Sequence, residues 1–551
     1  MASTNLSANT PTAPVSIWTA FQTPVFRAIW LAAFVSNIGT WMQNMAGVWL
    51  LTTLSKSQIL VALMQTATSL PVFMLSIPAG ALADLLDRRK LLLTTQLFMA
   101  VVACLLGVLT LTGSVSPYTI LSFTFLLGIG TALNTPAWQS IAPELVPRPV
   151  LPAALVLNGV SINLSRAIGP AVGGMIIAFY SPGYVFLLNG LSFLATCVVL
   201  FRWQRKQMET NVPVEDFFSA LRAGLRYVQF SPAIQSIMVR GMAFTFGTSA
   251  MWALLSLVVA RRLQQDAGVY GQMLTWLGAG AVTGALVLNR LAQRLHIEYR
   301  LLATTLTLAG VNLALATVTS AFWLYPVMFL AGMAWLLTLT SLNVTIQLNL
   351  PRWVQARVLS MYMLAFQGGL AIGSIVWGNV AEQFSLSTAL MLAAGWLGLV
   401  TLLPLFFRLP YGQMPDMTPA EDWPEPPATQ PIRPEQGPVV VMIEYRINPA
   451  ELADFLKAME PLKRLRLRDG ALRAGVFSDI TDPARQVEFY TVASWGEHLR
   501  QHHRFTREDT RIEEQVRRYH TGPDRPMVSH FVTQPGNEQP PFVSDMETMN
   551  G

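Results

Sequence analysis

Long apolar stretches dominate the first 408 residues of this chain. Twelve of them can be marked out: 28–54, 58–81, 91–113, 118–138, 152–180, 184–203, 234–260, 269–289, 300–319, 323–346, 357–380 and 386–407. Each has the roughly 20 residues that a helix needs to cross a ~30 Å hydrocarbon core. Helix is the only choice, because an irregular chain in lipid leaves its backbone groups unpaired. The pattern changes at two places. Within 204–233, the segment Val214–Gln229 sets Phe217, Phe218, Leu221, Leu225 and Val228 at helical spacing beside Arg222 and Arg226, which predicts an amphipathic helix on a membrane surface. From 409 to 437 prolines recur from Pro410 to Pro434, a semi-rigid linker. Strand-like alternation and helical patches then follow in turn: Val439–Ile447, Ala450–Arg468, Ala471–Ser478, Gln486–Ser494, His498–Tyr519 and Met527–Thr533. The order βαββαβ predicts a small ferredoxin-like α+β domain.

The expected organisation is therefore an all-α membrane body with a soluble tail. Residues 1–23 are a flexible N-terminus, 24–203 a first six-helix half, 204–233 a central loop and 234–408 a second six-helix half. The linker 409–437, the ferredoxin-like domain 438–535 and a disordered end 536–551 complete the chain. Composition agrees: 52% of residues are hydrophobic and 12% charged, with mean hydropathy +0.43, whereas soluble domains carry roughly 25% charged residues. The formal charge of +6 conceals a basic body and an acidic tail, net +12 over 15–410 and net −6 over 411–551. Cys104 and Cys197 both lie in apolar runs and read as packing residues. No Lys or Arg precedes Arg27, so the start lacks the basic region of a cleaved leader. With the N-terminus inside, sixteen Lys and Arg gather on the cytosolic side and three (Lys56, Arg261, Arg262) on the other. The asymmetry predicts cytosolic N- and C-termini.

One offset, 204 residues, superimposes the two halves. Gly80-Ala81-Leu82 falls on Gly284-Ala285-Leu286, Pro147-Arg148 on Pro351-Arg352, and Gly169 and Gly174 on Gly373 and Gly378. An even number of helices per repeat makes the duplication parallel, with its axis along the membrane normal and a site expected between the halves. The hairpin Gly80-Ala81-Leu82-Ala83-Asp84-Leu85-Leu86-Asp87-Arg88-Arg89-Lys90 resembles the signature between the second and third helices of the major facilitator superfamily, with Asp87 where the general pattern has a second Gly. The resemblance implies a cytosolic gate in which Asp84 meets the start of the eleventh segment, with Gly80, Arg88, Arg89 and Arg357 as its other members. A solvated hairpin that enforces orientation accounts for the same residues.

In the fifth segment, Gly169-Pro170-Ala171-Val172-Gly173-Gly174 resembles the helix 5 motif of the drug-efflux antiporters, with Ser165 in place of a Gly upstream. Close helix packing requires the same small residues. Arg166 lies about 14 residues into that segment, roughly 21 Å at 1.5 Å per residue. A charge so deep faces a cavity or a partner; contact with an anionic substrate and a tie to helix carbonyls are the two alternatives. The superfamily lines its cavity with helices 1, 4, 7 and 10, which adds Asn37, Trp41 and Asn44 of the first segment, Asn134 of the fourth, and Arg240 and Trp252 of the seventh as candidate cavity residues. Asn163, three residues before Arg166 in the fifth segment, is a further candidate, and hydrogen bonds between helices account equally for the polar side chains. Asp and Glu in the body all sit in loops or near segment ends, so protons as coupling ion are implied by the family alone.

The tail is similar to the small dimeric α/β-barrel domains related to antibiotic-biosynthesis monooxygenases. Transporter and tail together resemble the bacterial transmembrane secretion effectors, near the enterobactin-exporter group. That resemblance implies a bacterial inner-membrane exporter of amphipathic small molecules, drugs or siderophores, working by alternating access, with a homodimer through the tail. The rival reading makes the tail an enzyme or ligand sensor on a transporter-like anchor. His498, His502 and His503 stand among Arg500, Arg504, Arg507 and Arg511 and read as a solvated or protein-contacting face, with no metal or cofactor implied. Phosphate-binding Gly-rich loops are missing from the sequence, and a tail of net −6 argues against nucleic acid as a partner.

Overall fold

The structure is a computed structural model that describes residues 17–203, 217–351, 353–409, 416–418, 420 and 432–533. It divides into two compact units, one of 1–212, 238–342 and 362–406, the other of 213–237, 343–361 and 407–551.

The first unit holds the membrane helices. The first half comprises α1 (Pro24–Leu54), α2 (Gln58–Leu85), α3 (Arg88–Leu111), α4 (Pro117–Leu145), α5 (Leu151–Phe179) and α6 (Pro182–Arg202). After α7 (Phe217–Gln229), the second half runs through α8 (Pro232–Leu257), α9 (Ala267–Arg294), α10 (Ile297–Thr317), α11 (Ala321–Leu348), α12 (Gln355–Gln383) and α13 (Leu386–Val400). Twelve of these thirteen are long and apolar enough to cross a membrane, and α7 is the exception. The starts are written locally: Ser57, Asp87, Ser116, Asp266 and Ser385 each accept a backbone N–H of the turn they open, which satisfies a donor the helix leaves orphaned. Asp87, the departure from the family signature, is thus the N-cap of α3, at 2.9 Å from the Lys90 N–H. Ile17–Gln22, assigned to the flexible start by sequence, form a 3-10 turn with Ala20 buried against α1 and α5.

Small residues bring the helices together. Gly107 and Gly190 let α3 and α6 interlock, the latter against Cys104, so this cysteine packs as expected. The duplication is visible in the contacts. Thr52 Oγ1 donates to Ser256 Oγ at 2.8 Å, and these residues are 204 apart, one repeat length. Equivalent positions touch each other only near the axis that relates the repeats. The pairing of α5 with α9, where a Cβ on Gly271 would stand 2.7 Å from the Pro170 carbonyl, has its counterpart in α2 with α12, where Thr66 and Ser374 hydroxyls are 2.7 Å apart. The ends of α1 and α8 meet there too, with Arg261 donating to the Ser55 carbonyl at 2.8 Å, and the Gln58 N–H donates to Glu382. All these contacts lie in the middle of the bundle or toward the end that carries the α1–α2 and α8–α9 loops.

In the second unit a four-stranded antiparallel sheet has the order β2 (Ala471–Ser478), β3 (Arg485–Val492), β1 (Val439–Arg446), β4 (Met527–Val532). That is the ferredoxin-like order. One face of the sheet buries Val439, Val441, Ile443 and Tyr445 against Phe455, Met459, Leu462 and Leu465 of α14 (Leu452–Asp469). Gly470 ends α14 at φ 130°, a conformation that only glycine takes without strain. The single helix expected over 498–519 is two, α15 (Trp495–Arg504) and α16 (Arg507–Arg517). The break is a capping box: Thr506 and Asp509 exchange side-chain and backbone bonds and restart the helix.

Candidate functional site

Two sizeable cavities lie inside the membrane unit. The first, about 280 Å³, is walled by both halves: Trp41, Asn44 and Met45 of α1, Gln65 and Thr68 of α2, Arg166 of α5, Trp252 of α8, Tyr270 of α9, Trp335 of α11, and Phe366 and Gln367 of α12. Among the described residues Arg166 is its one charged wall residue. Its guanidinium carbon sits 5.1 Å from the centre of the Trp41 ring, a cation–π arrangement. Its Nε and Nη1 are buried and have no hydrogen-bond partner among the described residues. Trp252 stands edge-on to Trp335 at 5.6 Å, Trp335 lies 5.7 Å from Phe366, and the Trp252 Nε1 donor is also unused among the described residues. A desolvated cation, an indole N–H and several aromatic faces together can hold an anionic group attached to a flat apolar body.

The second cavity, about 420 Å³, lies within the first half and is lined by Asn37, Gln96, Asn134, Asn158 and Ser161 among others. The candidate residues therefore divide. Trp41, Asn44 and Trp252 join Arg166, while Asn37 and Asn134 face the other cavity. Asn163 donates to the Gly159 carbonyl of its own helix at 2.9 Å. Arg240 is spent on Glu298 at 2.7 Å, in a tight crevice away from both cavities. Tyr270, Trp335 and Phe366 carry no signal in the sequence, since aromatics within apolar segments have no contrast with their neighbours.

The helix 5 glycines are packing positions. A Cβ on Gly169 would stand 2.5 Å from Trp41 Cβ, one on Gly173 3.2 Å from Met42, and one on Gly174 3.2 Å from Gly271 of α9. Pro170 lies inside α5 between them. Of the hairpin residues, Gly80 lies in α2 with open space around its Cα. Arg88 pairs with Glu144 of α4 at 2.9 Å, and Arg89 donates to the Leu200 carbonyl at 3.0 Å and to Phe201. Asp84 lies in α2 with its side chain outside the described residues. Arg357 abuts Gly224 of α7.

In the second unit the tail domain grips α7. Arg226 donates to the Gly470 carbonyl at 3.1 Å and approaches Glu497 at 3.5 Å. Arg468 lies 5.1 Å over the Tyr227 ring, and Arg504 lies 4.6 Å over Trp353, which is edge-on to Tyr227. Burial pushes the Tyr227 hydroxyl well above its usual range, the Arg468 charge opposing. The histidines depart from expectation. His498 is buried, not solvated, at 3.3 Å from His502 and beside Trp495 and His530 of β4. Burial first, then the neighbouring His530, lowers it to about 4. The His503 side chain is outside the described residues. Among the described residues no group of three His, Cys, Asp or Glu is arranged for a metal ion.

Residues 15–538 match the family described as transmembrane secretion effector. The chain belongs to that family. Its relatives include the Staphyloferrin A transporter of Staphylococcus aureus, 24% identical over 366 residues, which are 64% of this chain and 89% of the relative. The enterobactin exporter EntS of Shigella boydii is 26% identical over 411 residues, 72% of this chain and 96% of that one. Among solved structures, the nucleoside transporter NupG has a TM-score of 0.59 at 11% identity, covering 70% of this chain and 100% of its own. A bacterial homologue of the human lysosomal transporter Spinster, inward-facing and occupied, has a TM-score of 0.56 at 13% identity, covering 70% and 96%. This family member is a transporter of the major facilitator superfamily and a multi-pass inner-membrane protein.

Proposed function

We propose that this transporter is a secondary exporter of amphipathic, anion-bearing small molecules of the siderophore kind. The observation that carries the reading is Arg166, a buried cation without a hydrogen-bonded partner at Nε and Nη1 among the described residues, set over Trp41 in a cavity that both halves wall. The names of the two siderophore-handling relatives support the substrate class. Alternating access is supported by the contacts between the halves, which among the described residues are gathered in the middle and toward one end of the bundle. The Lys and Arg distribution makes that the outer end, with both termini cytosolic. Arg261 and Arg262, two of the three outer cations, are used on carbonyls at the C-terminal ends of α1 and α10, where a positive charge favours the helix dipole. In this reading Asp84 and its hairpin serve the gate at the inner end. Proton coupling rests on the superfamily alone, since among the described residues no carboxylate lines either cavity.

The tail serves as a dimerising and regulatory module. Its second sheet face presents Phe477, Met527 and Phe531, each more than half exposed, beside Val440, Met442 and Phe489, an apolar surface suited to a second copy. Its grip on α7 and Trp353 links it to the loop between the halves and to the α11–α12 loop. A siderophore-producing strain with this gene deleted tests the export reading. Mass spectrometry is expected to find the siderophore retained in the cells and depleted from the medium, both reversed by the wild-type gene but not by Arg166→Gln. Unchanged partition for every siderophore and amphipathic toxin tried removes the proposal.

A further inference from the structure

The cavity within the first half differs chemically from the Arg166 site. Its walls supply neutral amides and hydroxyls from five helices, among them Asn37 of α1, Gln96 of α3, Asn134 of α4, Asn158 and Ser161 of α5, and Thr196 of α6. None of its described lining residues is charged. Gln96 and Ser161 are only 4% and 3% exposed, yet the Gln96 Oε1 and Ser161 Oγ atoms have no hydrogen-bond partner among the described residues. The amide nitrogen of Gln96 is already directed at Asn134 Oδ1, 3.4 Å away, which leaves its oxygen as a free acceptor. Buried polar atoms are nearly always satisfied, and an unsatisfied one costs free energy unless something else fills the role. The walls of this cavity are therefore pre-set for a partner that brings both donors and acceptors.

The two cavities have a common neighbour. A smaller space of about 120 Å³ shares Thr40, Met99, Thr131 and Phe193 with the neutral cavity, and Asn44, Met64 and Thr68 with the Arg166 site. Along α1, Asn37 and Trp41 are one turn apart, roughly 6 Å. We infer that the neutral cavity is a second subsite, which takes an uncharged amide- or hydroxyl-bearing arm of the same molecule whose anionic aromatic end lies against Arg166 and Trp41. This rests on the reading of the Arg166 site given above and adds a requirement to it: a good substrate has two chemically distinct parts, one charged and flat, the other neutral and rich in hydrogen-bonding groups. Selection then comes from the neutral arm, because an analogue without it leaves the buried Gln96 and Ser161 atoms unpaired.

The test uses purified full-length protein in detergent and two probes, 2-naphthoate and 6-carboxy-2-naphthoyl-glycyl-glycinamide, with calorimetric titration. Two or more added hydrogen bonds make the armed probe bind at least about tenfold more tightly to the wild type. Ser161→Ala, which removes one oxygen and little volume, and Gln96→Leu, which keeps the shape, each reduce that advantage several-fold and leave 2-naphthoate unchanged. Arg166→Gln weakens both probes by a similar factor. Equal binding of the two probes to the wild type, no binding of the armed probe, or an undiminished advantage in both cavity variants overturns the second subsite; the first of these is the result of a cavity that holds only water. If 2-naphthoate still binds and Arg166→Gln weakens it, the Arg166 site survives that failure. If Arg166→Gln leaves 2-naphthoate binding untouched while the arm retains its advantage, the Arg166 reading has failed on its own.

Discussion

Replacing Arg166 by glutamine separates two roles that make opposite demands on stability. An arginine that ties helix carbonyls together destabilises the fold when it is removed. An arginine reserved for an anion does not, because a buried charge without a partner is a burden on the empty protein. The geometry favours the second. Nε and Nη1 are unpaired among the described residues, and the interaction that remains is with the Trp41 face at 5.1 Å. A hydrogen bond to a charged group is worth about 1.5–3 kcal/mol, and the cation–π attraction that disappears with the guanidinium about 1–2 kcal/mol. The cation–π term stabilises the empty protein and the desolvated charge destabilises it, so the two largely offset in the melting temperature. Only the bond to the anion is missing from the bound state. Arg166→Gln is therefore expected to weaken binding of an aryl carboxylate roughly 10- to 150-fold, while the thermal unfolding midpoint in detergent stays within about 2 °C of wild type or rises. Calorimetric titration with 2-naphthoate and differential scanning fluorimetry on the same samples read both quantities. A midpoint lowered by many degrees with unchanged affinity refutes the reasoning and makes Arg166 a structural tie.

Three other outcomes follow from the geometry described above. Arg240→Gln removes one partner from the half-buried Glu298 and should destabilise the protein by about 1–3 kcal/mol with aryl carboxylate affinity unchanged; weakened affinity at unchanged stability would return Arg240 to the substrate site. A double-mutant cycle of Arg226→Ala and Glu497→Ala, followed by thermal unfolding, should give a coupling of about 0.5–1 kcal/mol, and zero coupling would mean that the grip on α7 rests on Tyr227 and Trp353 instead. His498 is lowered to about 4 from the ordinary 6.5, so the unfolded chain takes up its proton first as pH falls. Its contribution to tail stability is complete above about pH 6.5 and declines toward pH 4 by up to about 1.4 kcal/mol per unit. In denaturant titrations at pH 7 and pH 4.5, the stability of wild type relative to His498→Gln should fall at the lower pH, and a constant difference contradicts the assignment.

The legible parts of this protein are those with strong contrast in the sequence. Twelve apolar runs, the order of strands and helices in the tail, and the 204-residue offset come from periodicity and repetition, which short-range physics reads directly. Thr52 bonding to Ser256 is that offset expressed as a contact. Arg166 is legible for the same reason, as a lone charge deep in an apolar run. Arg240 misleads because its partner Glu298 is on α10, 58 residues away, and nothing local announces a long-range pair. Tyr270, Trp335 and Phe366 stay hidden because an aromatic residue in a membrane segment looks the same whether it faces lipid or a cavity. His498 misleads through its arginine neighbours, which describe one side of a helix, while β4 with His530 covers the other. The break at Phe505–Thr506 has a readable signal, Thr506-x-x-Asp509, hidden inside a continuous helical pattern.

The central claim, outward movement of an anion held at Arg166, is tested most directly by flux in cells. Cells loaded with a fluorescent aryl carboxylate that carries a glycinamide arm are washed, and the dye remaining inside is followed over time. The account predicts faster loss from cells that make the wild-type protein than from empty-vector cells, and vector-like loss from cells that make equal amounts of Arg166→Gln. Greater retention on expression, or loss through Arg166→Gln as fast as through wild type, contradicts it.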